Sequence, residues 1–402
     1  MNKIEYRIQE VSKKLQVPRS TIRYWETEFS ELVKPRRTDG GQRRYSEEDI
    51  DNLIQIKKIL HNKNRSIDQA KRLLKIGNAD IGKIDWEKQS ILLTGGTGSF
   101  GKHFCKVMLE KYHPKVIRIY SRDEIRQHEM RQKFSGSIRC FIGDIRDANR
   151  LRRAMEGVDI VVHAAVLSHV DSCEYNPLEA VKTNIFGASN VVDAAIDVGV
   201  KKVMAVSSEK SVYPVNLYGA TALCAEKIFI QGNVYSGSRP TRFSCFRCGQ
   251  AIDSKGNLIS FLKEQKNKRI INVINKEMTR FWITMEQAVE SIIKSLEIME
   301  GGEIFVPKVP SIRIKDFINA IAPECEVRSN DTVNGEKIHE VMISEEDSRN
   351  TIQHNETYII LPDHWRKDRE MTLKGERMPA RFAYTSKTNN EWLNIDDIKR
   401  LI

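Results

Sequence analysis

The sequence predicts a multidomain chain: a small, all-α N-terminal module with a short hairpin, then an α/β module built on a doubly wound parallel sheet with a small C-terminal subdomain. Three observations lead there. At 402 residues the chain is longer than one hydrophobic core usually serves. Up to about residue 75 apolar residues recur at helical spacing, whereas from residue 90 short apolar runs alternate with helical segments. Charge is uneven as well: residues 1–80 hold 18 Lys and Arg against 12 Asp and Glu, so a fifth of the length carries over half of the net charge of +11. The expected boundaries are 1–76 and 89–402, with a linker at 77–88 that contains Gly77 and Gly82.

Hydrophobic residues make up 40% and charged residues 30%, the balance of a soluble, folded protein. No stretch approaches the roughly 18 apolar residues of a membrane helix, so a cytoplasmic protein with no membrane partner is expected. Seven cysteines, an odd number scattered through a long chain, are expected as reduced thiols. Cys245 and Cys248 sit in an apolar run, 243–249, that reads as a strand. Residues three apart on a strand face opposite sides, so neither a redox pair nor a metal site is expected there.

In the N-terminal module Ile8, Val11 and Leu15 lie at helical spacing, the run breaks at Gln16-Val17-Pro18, and a second helix follows from Arg19 to about Glu26. The second helix turns Arg19, Ser20, Thr21, Arg23 and Tyr24 outward of the Ile22 and Trp25 anchors, a set suited to phosphates and base edges in a major groove. Between Lys34 and Tyr45 the turn signal Asp39-Gly40 separates two short arms carrying Arg36, Arg37, Arg43 and Arg44, a wing. Capping patterns at Ser46 with Asp49 and at Ser66 with Gln69 start two further helices. The module is a winged helix-turn-helix in outline.

These residues resemble the MerR family of DNA-binding domains, through Tyr6-Arg7-Ile8, Thr21-Ile22-Arg23-Tyr24, Pro35-Arg36 and Arg44-Tyr45 in that order. The resemblance spans residues 5–75 and implies double-stranded DNA as partner, contacted by Arg19, Ser20, Thr21, Arg23, Tyr24, Arg36, Arg37, Arg43, Arg44 and Tyr45. Members of that family usually continue into a long dimerisation helix. Here only a short linker follows, so pairing of two DNA-binding heads is expected to come from the C-terminal module.

That module opens with Ser90-Ile91-Leu92-Leu93, a buried strand running into Thr94-Gly95-Gly96-Thr97-Gly98-Ser99-Phe100-Gly101 and a helix. Gly95, Gly98 and Gly101 supply a tight turn, close approach of the backbone to a pyrophosphate, and close helix packing, the Rossmann-type arrangement. A mononucleotide phosphate loop fits poorly, because His103 follows Lys102 where a magnesium-binding Ser or Thr is needed. The second strand ends in Ser121-Arg122-Asp123, offering a guanidinium at the adenosine ribose. NADP is therefore expected, with NAD the alternative.

From about Trp86 to Ile402 the sequence resembles the inverting UDP-N-acetylglucosamine 4,6-dehydratases, within the extended short-chain dehydrogenase/reductase group. The segments that carry this are the Thr94–Gly101 loop, Ser121–Glu124, Gly143–Asp147, Tyr175–Pro177, Lys182–Asn184, Asn216–Thr221, Met278–Thr284 and Gly335–Glu340. The family oxidises the sugar at C4 by hydride transfer to NADP, eliminates water across C5–C6 and returns the hydride to C6. The resemblance implies Tyr218 as catalytic tyrosine, Glu209 in place of an aspartic acid, and Lys210 as the lysine that handles the C5 proton. It implies Gly95, Thr97, Gly98, Ser99, Phe100, Gly101, Ser121, Arg122, Asp144, Ile145, Ala164, Ala165, Asn184 and Tyr218 around the cofactor. Asn216, Lys255, Arg280 and Glu336 are implied at the nucleotide-sugar substrate, held by a C-terminal substrate subdomain.

Chemical positions depart where the scaffold does not. Ala222 stands where the family's Tyr-x-x-x-Lys has its lysine, one helical turn past Tyr218. That lysine holds the cofactor ribose and favours the tyrosinate, a contribution of about 10²–10⁴ in rate. Lys227, nine residues on, falls on the opposite helix face. Ser168, Gln250 and Val333 replace a lysine, an asparagine and an arginine. The expectation is a transcription regulator whose C-terminal module senses NADP or a nucleotide sugar and forms homo-oligomers, with catalysis impaired or absent. An active 4,6-dehydratase carrying its own DNA-binding domain, and a purely structural oligomerisation platform, remain the alternatives.

Overall fold

The computed structural model describes residues 6–30, 32–38, 41–61, 74, 84–134, 136–251, 270–329, 335–362, 373 and 375–401. The chain divides into two compact units, Met1–Lys83 with His364–Lys374, and Ile84–Asp363 with Gly375–Ile402.

In the first unit α1 (Ile8–Leu15) stops where Gln16 takes a left-handed conformation ahead of Pro18, and α2 (Arg19–Glu28) begins. Val11, Leu15, Ile22, Trp25 and Phe29 converge on Ile50, Leu53 and Ile56 of α3 (Glu47–His61) to form the core. The strands β1 (Arg36–Arg37) and β2 (Arg43–Arg44) pair antiparallel. Ser46 and Asp49 cap α3 reciprocally: Ser46 N donates to Asp49 Oδ2 at 2.9 Å and Asp49 N to Ser46 Oγ at 3.1 Å. The Asp39-Gly40 turn and the helix expected after Ser66 lie outside the described residues.

The second unit starts before the expected boundary of 89. A short 3₁₀ turn, Trp86–Lys88, already belongs to it, because Trp86 is buried and its Nε1 donates to Glu297 at 3.0 Å. Six parallel strands follow: β3 (Ser90–Thr94), β4 (Val116–Ser121), β5 (Ile138–Ile142), β6 (Ile160–His163), β7 (Lys202–Ser208) and β8 (Arg242–Cys248). The sheet continues with β9 (Ile304–Pro307), β10 (Thr351–His354), β11 (Thr357–Ile360) and β12 (Glu376–Arg377). Its order is β12-β10-β11-β9-β8-β7-β6-β3-β4-β5. The parallel part is a Rossmann sheet whose order reverses between β3 and β6, with Leu93 opposite Ile119 on one side and Val162 on the other.

Helices α4 (Ser99–Val107), α5 (Glu124–Lys133), α6 (Ala148–Met155), α7 (Gly187–Val198), α8 (Leu217–Tyr235) and α9 (Met285–Ile298) cover the sheet. α7 packs between α6 and α8, and α4 against α9. The C-terminal subdomain has its own core of Met278, Trp282, Ile312, Phe317 and Ile318 around a small sheet of Gln250–Ala251, Thr279–Ile283 and Ser311–Arg313. All seven cysteines are free thiols, and Cys245 faces the core while Cys248 is partly exposed. Between α8 and β8 lies a buried ion pair: Arg247 Nε and Nη2 each donate to Glu226 at 2.9 Å, and Nη1 reaches Met342 O at 2.8 Å.

Candidate functional site

A cavity of about 640 Å³ opens at the carboxyl ends of the strands around the reversal point. Gly95, Thr97, Gly98, Ser99, Ser121, Arg122, Asp144, Ile145, Ala164 and Ala165 all line it. The backbone makes the cradle. A Cβ on Gly95, which has φ +68°, would meet Ala164 O at 2.6 Å, so the loop can pass this close to β6 only as glycine. Gly101 does not line the cavity: a Cβ there would lie 2.1 Å from Gly96 O, so it lets α4 close onto the loop, and Phe100 flanks it in the same turn. Thr183 Oγ1 is buried at the cavity wall with no hydrogen-bond partner among the described residues. A narrow glycine cradle at a helix N-terminus and an orphaned hydroxyl suit a dinucleotide.

Lys102, Arg122 and Arg126 stand in the cavity wall, each beside a carboxylate of the same wall: Glu129 at 3.4 Å, Asp144 at 3.5 Å and Asp123 at 3.2 Å. Thr97 Oγ1 and Ser121 Oγ lie 2.8 Å apart and order the loop against β4. Asp144 accepts from Arg146 N, Nε and Nη2 at 2.9, 3.0 and 2.7 Å and lies 3.5 Å from Arg122. Burial pushes its carboxyl up, but these guanidinium groups hold it below its ordinary value.

A smaller cavity of about 30 Å³ shares Ala164 and Ala165 with the large one and reaches His163, Asn184, Ser207, Tyr218, Ala222 and Glu226. Tyr218 and Ala222, one helical turn apart, both line it. Ser207 Oγ in its wall finds no hydrogen-bond partner among the described residues. Asn184 is buried and bonded to Leu167 N, Leu167 O and Thr221 Oγ1, at 2.8, 3.0 and 3.0 Å. It therefore braces the cavity wall instead of presenting a free amide. Enclosure holds the Tyr218 phenol well above its ordinary pKa; the Ser208 hydrogen bond works against this, while Glu209, Cys248 and Cys173 add to it. None of these groups is a cation.

The residues expected to act on the sugar are brought together, but they are paired with one another. Lys210 Nζ lies 2.6 Å from Glu336 Oε2 and 2.7 Å from Glu340 Oε1. Burial would lower its pKa, yet these two carboxylates raise it, so Lys210 is held as ammonium. Arg280 Nη2 lies 3.1 Å from Glu336 and Nε 3.7 Å from Glu340. Glu209 is buried, its carboxyl pushed up to about 7, first by burial and then by the charge of Glu340. Asn216 caps α8, accepting from Gly219 N at 2.8 Å and donating to Gly335 O at 2.6 Å. Oδ1 thus caps the helix, while Nδ2 ties it to the 335–340 segment. Lys255 and Val333 lie outside the described residues.

Glu340 and Lys337 were not singled out from sequence, although the Gly335–Glu340 segment was. Lys337 Nζ donates to Glu209 O at 3.2 Å and Val212 O at 2.5 Å. The spacing of Glu336 and Glu340 around one lysine was the available signal.

In the N-terminal unit Arg19, Ser20, Arg23, Tyr24, Arg36 and Arg37 are exposed and Thr21 and Arg44 partly so, across α2 and the wing. Of the other two expected contact residues, Tyr45 is buried and Arg43 is partly exposed, like Arg44, but paired with Glu26. Tyr45 is 0% exposed, its phenol donating to Glu26 Oε1 at 3.1 Å, and Arg43 Nε lies 2.7 Å from Glu26 Oε2. Glu26 thus ties the wing to α2 from below, and Tyr45 belongs to the core.

The fold and the cavity define a short-chain dehydrogenase/reductase-type nucleotide-binding module fused to a helical unit. Residues 91–362 match the family profile described as polysaccharide biosynthesis protein, and the chain belongs to that family. Residues 6–75 match the MerR HTH family regulatory protein profile. Over 327 residues the chain is 43% identical to the UDP-N-acetylglucosamine 4,6-dehydratase (inverting) of Campylobacter jejuni, covering 79% of this chain and 98% of that protein. The X-ray structure of Pen from Bacillus thuringiensis superposes with a TM-score of 0.72 at 34% identity, over 79% of this chain and 98% of that one. DesIV, a dTDP-glucose 4,6-dehydratase from Streptomyces venezuelae solved with NAD and TYD bound, shares the fold. Its TM-score is 0.54 at 20% identity, over 62% of this chain and 86% of that one. Among the described residues no helix is long and apolar enough to cross a membrane.

Proposed function

We propose that this chain is a DNA-binding transcription regulator of the cytoplasm whose dehydratase-type module binds NADP and a UDP-N-acetylglucosamine-like sugar as signals and assembles the protein into homo-oligomers, with hydride transfer impaired. The observation that carries this reading is the surroundings of Tyr218: Ala222, one turn on, lines the same small cavity, and burial with the nearby Glu209 holds the phenol's proton in place. Oxidation at C4 needs that proton to leave. Lys102, Arg122 and Arg126 in the cavity wall favour the 2′-phosphate of NADP over NAD, whose part in any turnover is to take up a hydride. Exposed Arg19, Arg23, Arg36 and Arg37 support the contact with DNA. Ligand binding acts by favouring one arrangement of paired heads over another.

The test is a titration of DNA affinity with NADP(H) and UDP-N-acetylglucosamine: the affinity shifts on this reading, and no shift across both titrations sinks the sensor. A second reading, an active 4,6-dehydratase, is favoured by Glu209, whose carboxyl near neutrality suits proton donation to the C6 hydroxyl. Turnover of UDP-N-acetylglucosamine by the purified parent chain would establish it.

A further inference from the structure

We propose that Glu209 and Glu340 form a carboxyl pair in which a single proton resides on Glu209 while Glu340 stays ionised, making Glu340 the positioning residue that arms Glu209 as a proton donor. The placement of cations decides it. Glu340 is completely buried, with Lys210 Nζ 2.7 Å from Oε1, Lys337 Nζ 3.4 Å from Oε2 and Arg280 Nε 3.7 Å away. Three cations on one buried carboxylate fix its charge.

Glu209 has no such retinue. Its carboxylate accepts from Ser208 Oγ at 3.2 Å, and Lys337 donates to its backbone carbonyl, not to its side chain. The groups facing it are Ser208 and Lys210 from its own segment, Tyr218 from α8, Cys248 from β8, and Glu340 with Lys337 from the 335–340 segment. Lys210 opposes Glu340 in its effect on Glu209, but its hydrogen bonds go to Glu336 and Glu340 and none to the Glu209 side chain among the described residues. Two neighbouring buried carboxyls cannot both ionise without cost, and the one lacking cations keeps the proton. Burial pushes Glu209 to about 7, whereas Glu340 is pushed up by burial but held below its ordinary value by Lys210, Arg280 and Lys337. Lys337 links the two residues, its Nζ 3.2 Å from Glu209 O and 3.4 Å from Glu340 Oε2.

A neutral Glu209 beside a protonated Tyr218 presents two O–H donors to a ligand's hydroxyl or keto oxygens. That use of the pair rests on the sugar-site reading above; the pairing itself does not.

The experiment is a titration of the full chain with ¹³C-labelled glutamate carboxyls, followed by NMR without any ligand. In the parent, one carboxyl is expected to titrate near neutrality and Glu340 at least two pH units lower. Glu209→Gln, a neutral isostere of the protonated side chain, is expected to abolish the near-neutral step and leave Glu340 where it was. Glu340→Gln is expected to lower the Glu209 midpoint by at least one unit. Should that variant not fold, the parent and Glu209→Gln spectra decide alone. The pair is overturned if no carboxyl titrates between pH 6 and 8, if the near-neutral step survives Glu209→Gln, or if a folded Glu340→Gln leaves it unmoved. Absence of nucleotide-sugar binding would leave this result untouched, so the two readings fail separately.

Discussion

Tyr218 and Ala222 stand one turn apart on the same face of α8, and a cavity of about 30 Å³ lies against both. A lysine stem entering that cavity from position 222 would bring an ammonium toward the phenol. Ala222→Lys is therefore expected to lower the Tyr218 pKa and raise UDP-N-acetylglucosamine turnover by about 10²–10⁴-fold over the parent. Ultraviolet difference titration of tyrosinate and product formation check the two halves separately. No change in either would mean that the residue at position 222 does not control the phenol.

Arg122 lines the cradle 3.5 Å from Asp144. Arg122→Ala is expected to weaken NADP binding by about 10- to 100-fold, the worth of one charge-assisted hydrogen bond, and to leave NAD binding nearly unchanged. Calorimetry with both dinucleotides measures it, and equal losses for the two would remove Arg122 from the 2′-phosphate.

The N-terminal unit separates surface cations from core. Arg37→Ala is expected to reduce the slope of log affinity for duplex DNA against log salt by about 0.9, one released counterion. Tyr45→Phe is expected to leave that slope alone and lower the melting temperature, because the Tyr45 hydroxyl reaches Glu26 and not solvent. A salt slope altered by Tyr45→Phe would mean that the wing is misassigned.

His163, buried at the end of β6 and bonded to Thr94 Oγ1 at 2.8 Å, is pushed down from 6.5 to about 4 by burial. Between these values the unfolded chain binds a proton that the native protein refuses. The stability is complete above pH 6.5 and is lost as pH falls toward 4, on the order of 3 kcal/mol from this residue. Urea unfolding across that range should show the slope in the parent and a flatter profile in His163→Gln.

The Rossmann unit was legible because its glycine loop, buried strands and strand-helix alternation are local signals that tertiary packing reinforces. Gly95 and Gly101 carry their own geometric reason in the sequence. The first unit was legible for the same cause, down to the Ser46 and Asp49 cap. What could not be read were choices among partners. Arg43 and Arg37 look alike in a wing sequence, yet only the fold puts Glu26 beneath Arg43. Lys210 reads as a base, and its engagement by Glu336 and Glu340 depends on a segment more than 120 residues away. Asn216 reads as a ligand contact, and only the fold shows its Oδ1 on the helix cap and its Nδ2 on Gly335 O. Long-range pairing of polar groups decides these sites, and no local spacing encodes it.

The Glu226–Arg247 pair sets a different limit, one on how such a chain can change over generations. Replacing either member alone strands a charge in the interior, at roughly 3–5 kcal/mol, a large part of what holds a domain folded. Swapping both at once for well-packed apolar groups is close to neutral. Position 222, an alanine beside a small cavity and outside this ion pair, is not bound to a second position in that way. In such a lineage the reaction is easier to gain or lose than the architecture that houses it.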